Sequence, residues 1–496
     1  MLLSRILPAA FVAALIAAPA AEARDVTVTS FDGTQIVAHW FPAPAAAGGA
    51  KAPTVMTGPG WGSAGADNPA TAPIKPMLDA GYNVLTWDPR GFGKSGGVVN
   101  IDSPQFEGRD AQKLVDWIAT QPEVQLDGAG DPRLGMTGGS YGGGIQWVLA
   151  ALDKRVDAIV PNIAWNSLRS SLYRNDIVKT GWSGLLYNIA ATRPLDPHIK
   201  AAYDQGTKTG SLTAENERWF ASRGPGDALI SKVTVPTLIQ QGTVDTLFTL
   251  DEAIRNYTIL KAKRVPVSML WFCGGHGACL TDPGDETRTQ RSAIAWLNRY
   301  VKKDASVKTG PGFDWVDQNG ERFTAAGWPI KTGKPVAAAG RGRLRLVAAG
   351  GSGPAKIPDS ADVVGKVAGS ITPGRATNAV NVTVRAPRAA HVVGAPRVVL
   401  SYRGRTTGAK RPERVFAQLV DAKTGLVLGN HVTPIPVKLD GKRHKVSAPL
   451  ETVAHTLPKG GRVVLQLVAT TVAYAQPRLG GSVTFDAIGV ALPTAK

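Results

Sequence analysis

Leu134-Gly135-Met136-Thr137-Gly138-Gly139-Ser140-Tyr141-Gly142-Gly143-Gly144 is the stretch on which the fold turns. Its first four residues read as a short buried strand, and residues 141–151 read as a helix. Between them lies Gly138-x-Ser140-x-Gly142, a G-x-S-x-G element. Where strand passes directly into helix, the turn is sharp enough to force its central residue into a strained backbone conformation. A side chain two residues before or after would clash, so the flanking positions call for glycine. The hydroxyl of Ser140 is then exposed at the head of a helix, where the N-terminal dipole favours developing negative charge. Ser140 is the candidate nucleophile.

Working outward, the same alternation of short apolar strands with helices recurs on both sides. Pro53–Thr57 and Tyr82–Trp87 read as buried strands before Ser140, and 106–120 as a helix with Leu114, Val115 and Ile118 on one side. Val156–Val160, Val235–Gln240 and Val265–Trp271 read as strands after it, and Arg288–Tyr300 as a closing amphipathic helix. Strands apolar along their whole length, separated by helices, predict a mostly parallel sheet covered on both faces. A hairpin around Asp32-Gly33 opens the domain. From Pro161 to Lys232 the alternation stops, and Trp165, Leu168, Leu172, Tyr173, Trp182, Leu185, Leu186 and Tyr187 mark an aromatic helical insertion, a cap at about 162–232. After about residue 305 helical periodicity nearly vanishes and turn-separated strand runs take over, which predicts an antiparallel sandwich. Residues 339–375, rich in Ala and Gly, read as long loops. The predicted divisions are therefore a leader over 1–23, a catalytic domain over 24–305 and a sandwich over 306–496.

A serine hydroxyl needs a base. His276 stands in Cys273-Gly274-Gly275-His276-Gly277-Ala278-Cys279, just past a strand, where a glycine-flanked histidine has no packing role. His39 alternates within an early strand, and His198 falls in the cap. The base needs a carboxylate, and Asp245 follows the Val235–Gln240 strand, with Asp251 and Glu252 as later alternatives. The oxyanion site needs two backbone N–H groups. Tyr141 supplies one. Gly58-Pro59-Gly60-Trp61-Gly62 supplies the other, from Trp61 or else Gly60, because Pro59 has no N–H to give. Asp88 and Arg90, in Asp88-Pro89-Arg90-Gly91-Phe92-Gly93-Lys94-Ser95, read as a hydrogen-bonded turn near the rim. Gly93-Lys94-Ser95 imitates the end of a phosphate loop, but that loop requires glycine where Asp88 stands.

Composition limits the remaining possibilities. The chain has 496 residues, 43% of them apolar and 19% charged, which suits a globular protein of two or three domains. Two cysteines exclude a disulfide scaffold, and seven histidines without paired spacing give no sign of a metal site or any cofactor. Arg5, the apolar run 6–18 and Ala21-Glu22-Ala23 form a secretory leader pattern, so secretion to an extracellular or periplasmic compartment is expected. In that compartment Cys273 and Cys279 could close a small disulfide around His276, or remain two buried thiols. The formal net charge of +18 is carried entirely by residues 301–496, with 29 Lys and Arg against 11 Asp and Glu. No motif supports nucleic-acid binding. The excess reads either as a solvated face or as a surface drawn to anionic cell-envelope material.

The motifs Asp88-x-Arg90-Gly91-x-Gly93-x-Ser95 and Gly138-x-Ser140-x-Gly142, with Asp245, His276, the cap and the strand-rich end, resemble the cocaine-esterase and X-Pro dipeptidyl-peptidase superfamily of α/β-hydrolases. The resemblance implies an α/β-hydrolase domain with a helical cap, followed by a jelly-roll-like domain packed near the pocket. It implies a serine hydrolase whose Ser140, His276 and Asp245 form a triad, acting on a small ester, or alternatively on a short peptide or amide. Where the family often carries a tyrosine donor in the first loop, this chain has Gly60-Trp61-Gly62, so a backbone donor is expected. A different class, a cell-envelope or polymer-binding protein with a vestigial hydrolase domain, is the remaining alternative.

Overall fold

A computed structural model describes residues 22–356 and 369–496. The leader pattern therefore lies almost wholly outside the described residues. A ten-stranded sheet forms the first body. Its order is Arg24–Thr29, Gln35–Phe41, Asn83–Trp87, Thr54–Gly58, Leu134–Gly139, Val156–Asn162, Thr237–Gly242, Val267–Phe272, Phe313–Val316 and Arg322–Ala325. The strands from Asn83–Trp87 to Phe313–Val316 pair in parallel, and the two ends are antiparallel hairpins.

Alternate strand residues feed two apolar layers. Met56, Leu85, Met136, Ile159, Ile239 and Met269 pack with the helices Glu107–Ile118, Tyr141–Leu152 and Leu250–Ala262 on one face. Val55, Val84, Ala158, Val160, Leu238 and Leu270 meet Met77, Trp296 and Leu297 on the other. Burial on both faces is what the uninterrupted apolar strands demanded. The chain steps to one side of Thr54–Gly58 with Asn83–Trp87 and to the other with Leu134–Gly139. Loops on either side of such a reversal diverge and leave a crevice at the carboxyl edge of the sheet, and Ser140 sits at that edge.

Between Val156–Asn162 and Thr237–Gly242 the helices Leu168–Leu172, Thr180–Ala190, Pro197–Thr209, Ala214–Ala221 and Gly226–Ile230 form the cap. Its longer helices carry local start signals. Asp196 caps Pro197–Thr209 by accepting from the His198 N–H at 3.0 Å, and Thr213 accepts from the Asn216 N–H at 3.2 Å.

The second body is a sandwich of two four-stranded antiparallel sheets. One runs Val336–Arg345, Gly481–Leu492, Arg397–Thr406 and Asp440–Pro449; the other runs Ala379–Arg385, Arg462–Val468, Arg414–Asp421 and Thr433–Pro436. Both contribute to one apolar core, and Ala390–Gly394 pairs with Val453–Leu457 beside them.

Two divisions differ from the sequence reading. The change near residue 305 is not a change of sheet, because Phe313–Val316 and Arg322–Ala325 extend the first sheet. Phe313 and Trp315 carry that extension by stacking against each other, with Phe313 edge-on to Trp271 and Trp328. The first sandwich strand, Val336–Arg345, runs into 339–375, which reads as loop. Val336–Arg345 lacks apolar alternation because Gly340 and Gly342 stand at its inward positions. A Cβ on either would come within 2.6 Å of Val382 or Val380. Close approach of the two sheets replaces side-chain filling there.

Candidate active site

The turn at Ser140 has φ 56° and ψ −118°, the left-handed conformation that the motif requires. Gly142 is obligatory for a measurable reason: a Cβ there would lie 2.1 Å from the Gly58 carbonyl oxygen. The Ser140 hydroxyl donates to His276 Nε2 at 2.8 Å, and His276 Nδ1–H donates to Asp245 Oδ2 at 2.7 Å. Asp245 is fully buried. Its Oδ1 accepts from the N–H groups of Leu247 and Phe248 at 2.9 and 2.8 Å, so the carboxylate is oriented by its own loop. Trp182 and Phe248 stand edge-on to the imidazole at 5.7 and 5.1 Å. The structure thus brings together Ser140, Asp245 and His276, which are separated by up to 136 residues in the chain.

Cys273 and Cys279 are joined in a disulfide around His276. Asn430 of the sandwich donates to the Ala278 carbonyl at 3.0 Å, so the second body also holds the histidine loop. A further support was missed from sequence. Lys179, at the start of the cap helix Thr180–Ala190, is buried and donates to the Thr246 and Leu247 carbonyls at 3.0 and 3.1 Å. Burial pulls its pKa down to about 8. A lone lysine in a cap carries no sequence signal for this role; only the three-dimensional approach of cap and acid loop creates it.

Tyr141 opens the helix after Ser140, and Trp61 faces the same cavity. The N–H groups of both have no acceptor among the described residues. The Trp61 ring stands edge-on to Phe92 at 5.1 Å and Tyr141 at 5.4 Å, while its indole N–H donates to the Leu186 carbonyl at 2.9 Å, tying the first loop to the cap. Asp88 and Arg90 take part in turns away from the cavity. Asp88 accepts from the N–H groups of Gly65 and Lys94 at 2.8 and 2.7 Å, and Arg90 forks onto Asp110 at 2.9 and 2.7 Å and reaches Asp32 at 2.7 Å. His39 is a strand histidine, hydrogen-bonded to Asp25 at 2.7 Å.

The cavity over Ser140 has an empty volume of about 920 Å³, open mouth included. Its walls are overwhelmingly apolar, with Trp61, Trp165, Leu168, Leu186, Leu247 and Phe248 prominent among them. Arg169 and Glu217 are its charged members, and they pair with each other. Glu215 is 76% exposed and lies 3.5 Å from His198, so Glu215 and Glu217 do not converge on one point.

Behind the turn sits a small acidic recess containing Asp102 and Glu107. Glu107 accepts from the N–H groups of Asn100 and Ser103 at 2.6 and 2.8 Å, yet burial pushes its pKa up to about 7. Burial also raises Asp102 well above the usual carboxylate range. Between pH 4.5 and 7 the folded protein holds a Glu107 proton that the unfolded chain has released. Stability from this group is therefore full below about pH 4.5 and is lost as pH rises through about 7. The span corresponds to at most about 3 kcal/mol. Urea denaturation across pH 4.5–7 is expected to show a flatter decline for Glu107→Gln than for the wild type; an unchanged slope contradicts this.

The sheet, the strained serine turn and the hydrogen-bonded Ser140, His276 and Asp245 at its carboxyl edge define an α/β-hydrolase. Residues 32–278 match the family model described as X-Pro dipeptidyl-peptidase (S15 family). Over these residues the chain carries the hydrolase domain of the X-Pro dipeptidyl-peptidase (S15) family, as its motifs imply.

Solved structures extend the likeness of fold over both bodies. A CocE/NonD family hydrolase from Staphylococcus aureus superposes with a TM-score of 0.68 at 14% identity, over 95% of this chain and 93% of that one. An α-amino acid ester hydrolase gives 0.69 at 15%, over 98% and 97%. An aminopeptidase from a marine sediment Thaumarchaeota archaeon gives 0.67 at 16%, over 99% and 98%. Among curated proteins, an uncharacterized protein of Pseudomonas aeruginosa is 30% identical over 149 residues, 30% of this chain and 38% of that protein. The chain thus spans well under half the length of this curated relative.

Proposed function

We propose that the chain is a secreted serine esterase that takes esters with a bulky apolar, uncharged acyl group. Ser140 Oγ attacks the ester carbonyl carbon while its proton passes to His276 Nε2. Asp245 holds the imidazole tautomer and favours the imidazolium. The N–H groups of Tyr141 and Trp61 receive the oxyanion. His276 protonates the departing alkoxide, leaving an acyl-Ser140. Water, deprotonated by His276, then attacks that acyl carbon and releases the acid and free Ser140.

The observation that carries this reading is the Ser140–His276–Asp245 relay opening onto an apolar cavity. Binding a free amine in that cavity would call for an unpaired, desolvated carboxylate. Glu217 is the acid there, and Arg169 already neutralises it. Secretion is supported by the leader pattern and by the Cys273–Cys279 bridge.

The second reading, an X-Pro dipeptidyl-peptidase, is favoured by the family match. A panel of p-nitrophenyl esters and X-Pro p-nitroanilides with free amino termini separates the two. For acyl chains of six or more carbons, kcat/KM is expected to exceed that of the X-Pro substrates by at least about 100-fold, as the cost of burying an unpaired ammonium dictates. Equal or better turnover of the X-Pro anilides overturns the ester reading. Failure of a fluorophosphonate probe to label the folded protein favours a binding module instead.

A further inference from the structure

The positive charge of the C-terminal region is concentrated on one surface. In the sheet formed by Val336–Arg345, Gly481–Leu492, Arg397–Thr406 and Asp440–Pro449, the inward residues Leu344, Val398, Leu400, Tyr402, Val483 and Phe485 fill the sandwich core. The outward positions form a cationic lattice. Arg343 stands opposite Thr484, Thr484 opposite Arg403, and Arg403 opposite Arg443, so one row crosses all four strands. In the neighbouring row Arg345 faces Ser482, which faces Arg405. Arg341, Arg397 and Lys445 extend the field, and all eight side chains belong to exposed residues. Strand geometry spaces these positions by about 5 Å across the sheet and about 7 Å along it.

Among the described residues little neutralises this field. Asp486 lies 3.9 Å from Arg403 and 3.4 Å from Arg443. Asp440 is engaged with His444 at 2.8 Å and lies 3.6 Å from Lys438. Arg341, Arg343, Arg345, Arg397, Arg405 and Lys445 have no carboxylate partner among the described residues. So many like charges on one sheet repel each other and oppose folding. Contacts with the catalytic domain are made by the other four-stranded sheet, its loops and the Ala390–Gly394/Val453–Leu457 pair, whose His391 meets the Phe323 ring and whose Thr456 N–H donates to Asp317. Asn175 donates to the Pro434 carbonyl and Arg414 to the Asn175 carbonyl, both at 2.7 Å, and Gln318 donates to the Val427 carbonyl at 3.2 Å.

We propose that this outward face docks the protein on an anionic phospholipid bilayer. Charge complementarity selects a polyanion, and seven of the eight cations are arginines, whose planar forks match phosphate oxygens two at a time. The form of the face selects the bilayer. It is a broad sheet surface whose aromatic residues Tyr402 and Phe485 point inward, so it offers no stacking platform for single-stranded bases. Its four adjacent strands are too broad for a duplex major groove about 12 Å wide, which admits a helix or a two-stranded ribbon. Among the described residues the exposed large apolar side chains, Val98, Leu126 and Ile189, lie in the first body, so the docking is electrostatic, without insertion. This inference is independent of the esterase reading.

Sedimentation of the full chain with vesicles tests it, using phosphatidylcholine alone and phosphatidylcholine with about 30% phosphatidylglycerol. Binding is expected to the anionic vesicles alone at ~0.05 M salt, with release by ~0.5 M, where screening is nearly complete at contact range. Arg341→Ala/Arg345→Ala/Arg405→Ala removes three unpaired cations and is expected to weaken binding at least about tenfold. A melting temperature no lower than that of the wild type and unchanged hydrolysis of a soluble ester establish that this variant is folded. If it proves unstable, Arg343→Gln/Lys445→Gln, expected to weaken binding about fivefold or more, replaces it. Equal binding to both vesicle types, anionic binding indifferent to the substitutions, or tighter retention of single-stranded DNA than of vesicles overturns the proposal.

Discussion

Ser140→Ala is expected to lower kcat for ester hydrolysis by about 10⁴-fold or more, with KM little changed and fluorophosphonate labelling lost. The attacking oxygen is the one atom that no neighbour can replace. Without it no acyl-enzyme can form, and the 2.8 Å contact through which the hydroxyl hands its proton to His276 is lost. In the proposed mechanism the three residues act as a unit, so their losses should not add. His276→Ala should fall nearly as far, and the double variant no further than either single one. Asp245→Asn should keep the fold but present the wrong imidazole tautomer, losing about 10³–10⁴-fold. Stopped-assay kinetics on a purified, thermally characterised variant decides the matter. Ser140→Ala retaining more than about 1% of wild-type kcat would mean that the relay is not the catalytic device.

Gly142→Ala is expected to be nearly as damaging by a different route. The added methyl would sit 2.1 Å from the oxygen and 2.5 Å from the carbonyl carbon of Gly58, both main-chain atoms of a central strand. A flexible side chain could swing aside, but a paired strand cannot. Either the helix head lifts or the strand end moves, at a cost on the order of 3 kcal/mol. Gly58 leads directly into the loop carrying Trp61, so the displacement also separates the Tyr141 and Trp61 N–H groups proposed to receive the oxyanion. A shift of about 1 Å there is worth roughly 100-fold in rate. Gly60→Ala provides the contrast, because a Cβ at Gly60 meets nothing within 4 Å. Calorimetry and kcat/KM on the pair should show a large loss for Gly142→Ala and near-wild-type behaviour for Gly60→Ala. Equal behaviour of the two removes the steric account of the motif.

Much of the fold was legible because its signals are local. The strand–glycine–serine–glycine–helix passage is specified by adjacent residues, and the buried parallel strands appear as unbroken apolar runs. Arg288–Tyr300 could be read to the residue because one side is apolar at helical spacing. The legible elements fail where stability comes from a neighbour. Val336–Arg345 has glycines at its inward positions because Val380 and Val382 press against them. Phe313–Val316 joins the first sheet because Met269, Leu270 and Trp271 offer it an edge. Neither cause is present in the strand's own residues.

Chain order, residue type and glycine spacing by themselves determined which serine, histidine and aspartate to consider, since each occupies a loop after a strand where backbone constraint leaves few alternatives. Tertiary structure alone decided what those residues work with. The neutralisation of Glu217 by Arg169, the clamp of Lys179 on the acid loop and the support of the histidine loop by Asn430 join segments 48 to 152 residues apart. The cationic lattice likewise exists only once strand register aligns Arg343, Arg403 and Arg443. The physical reason is common to all four. A charge or hydrogen bond is set by separation in space, and only packing sets that separation for groups distant in the chain.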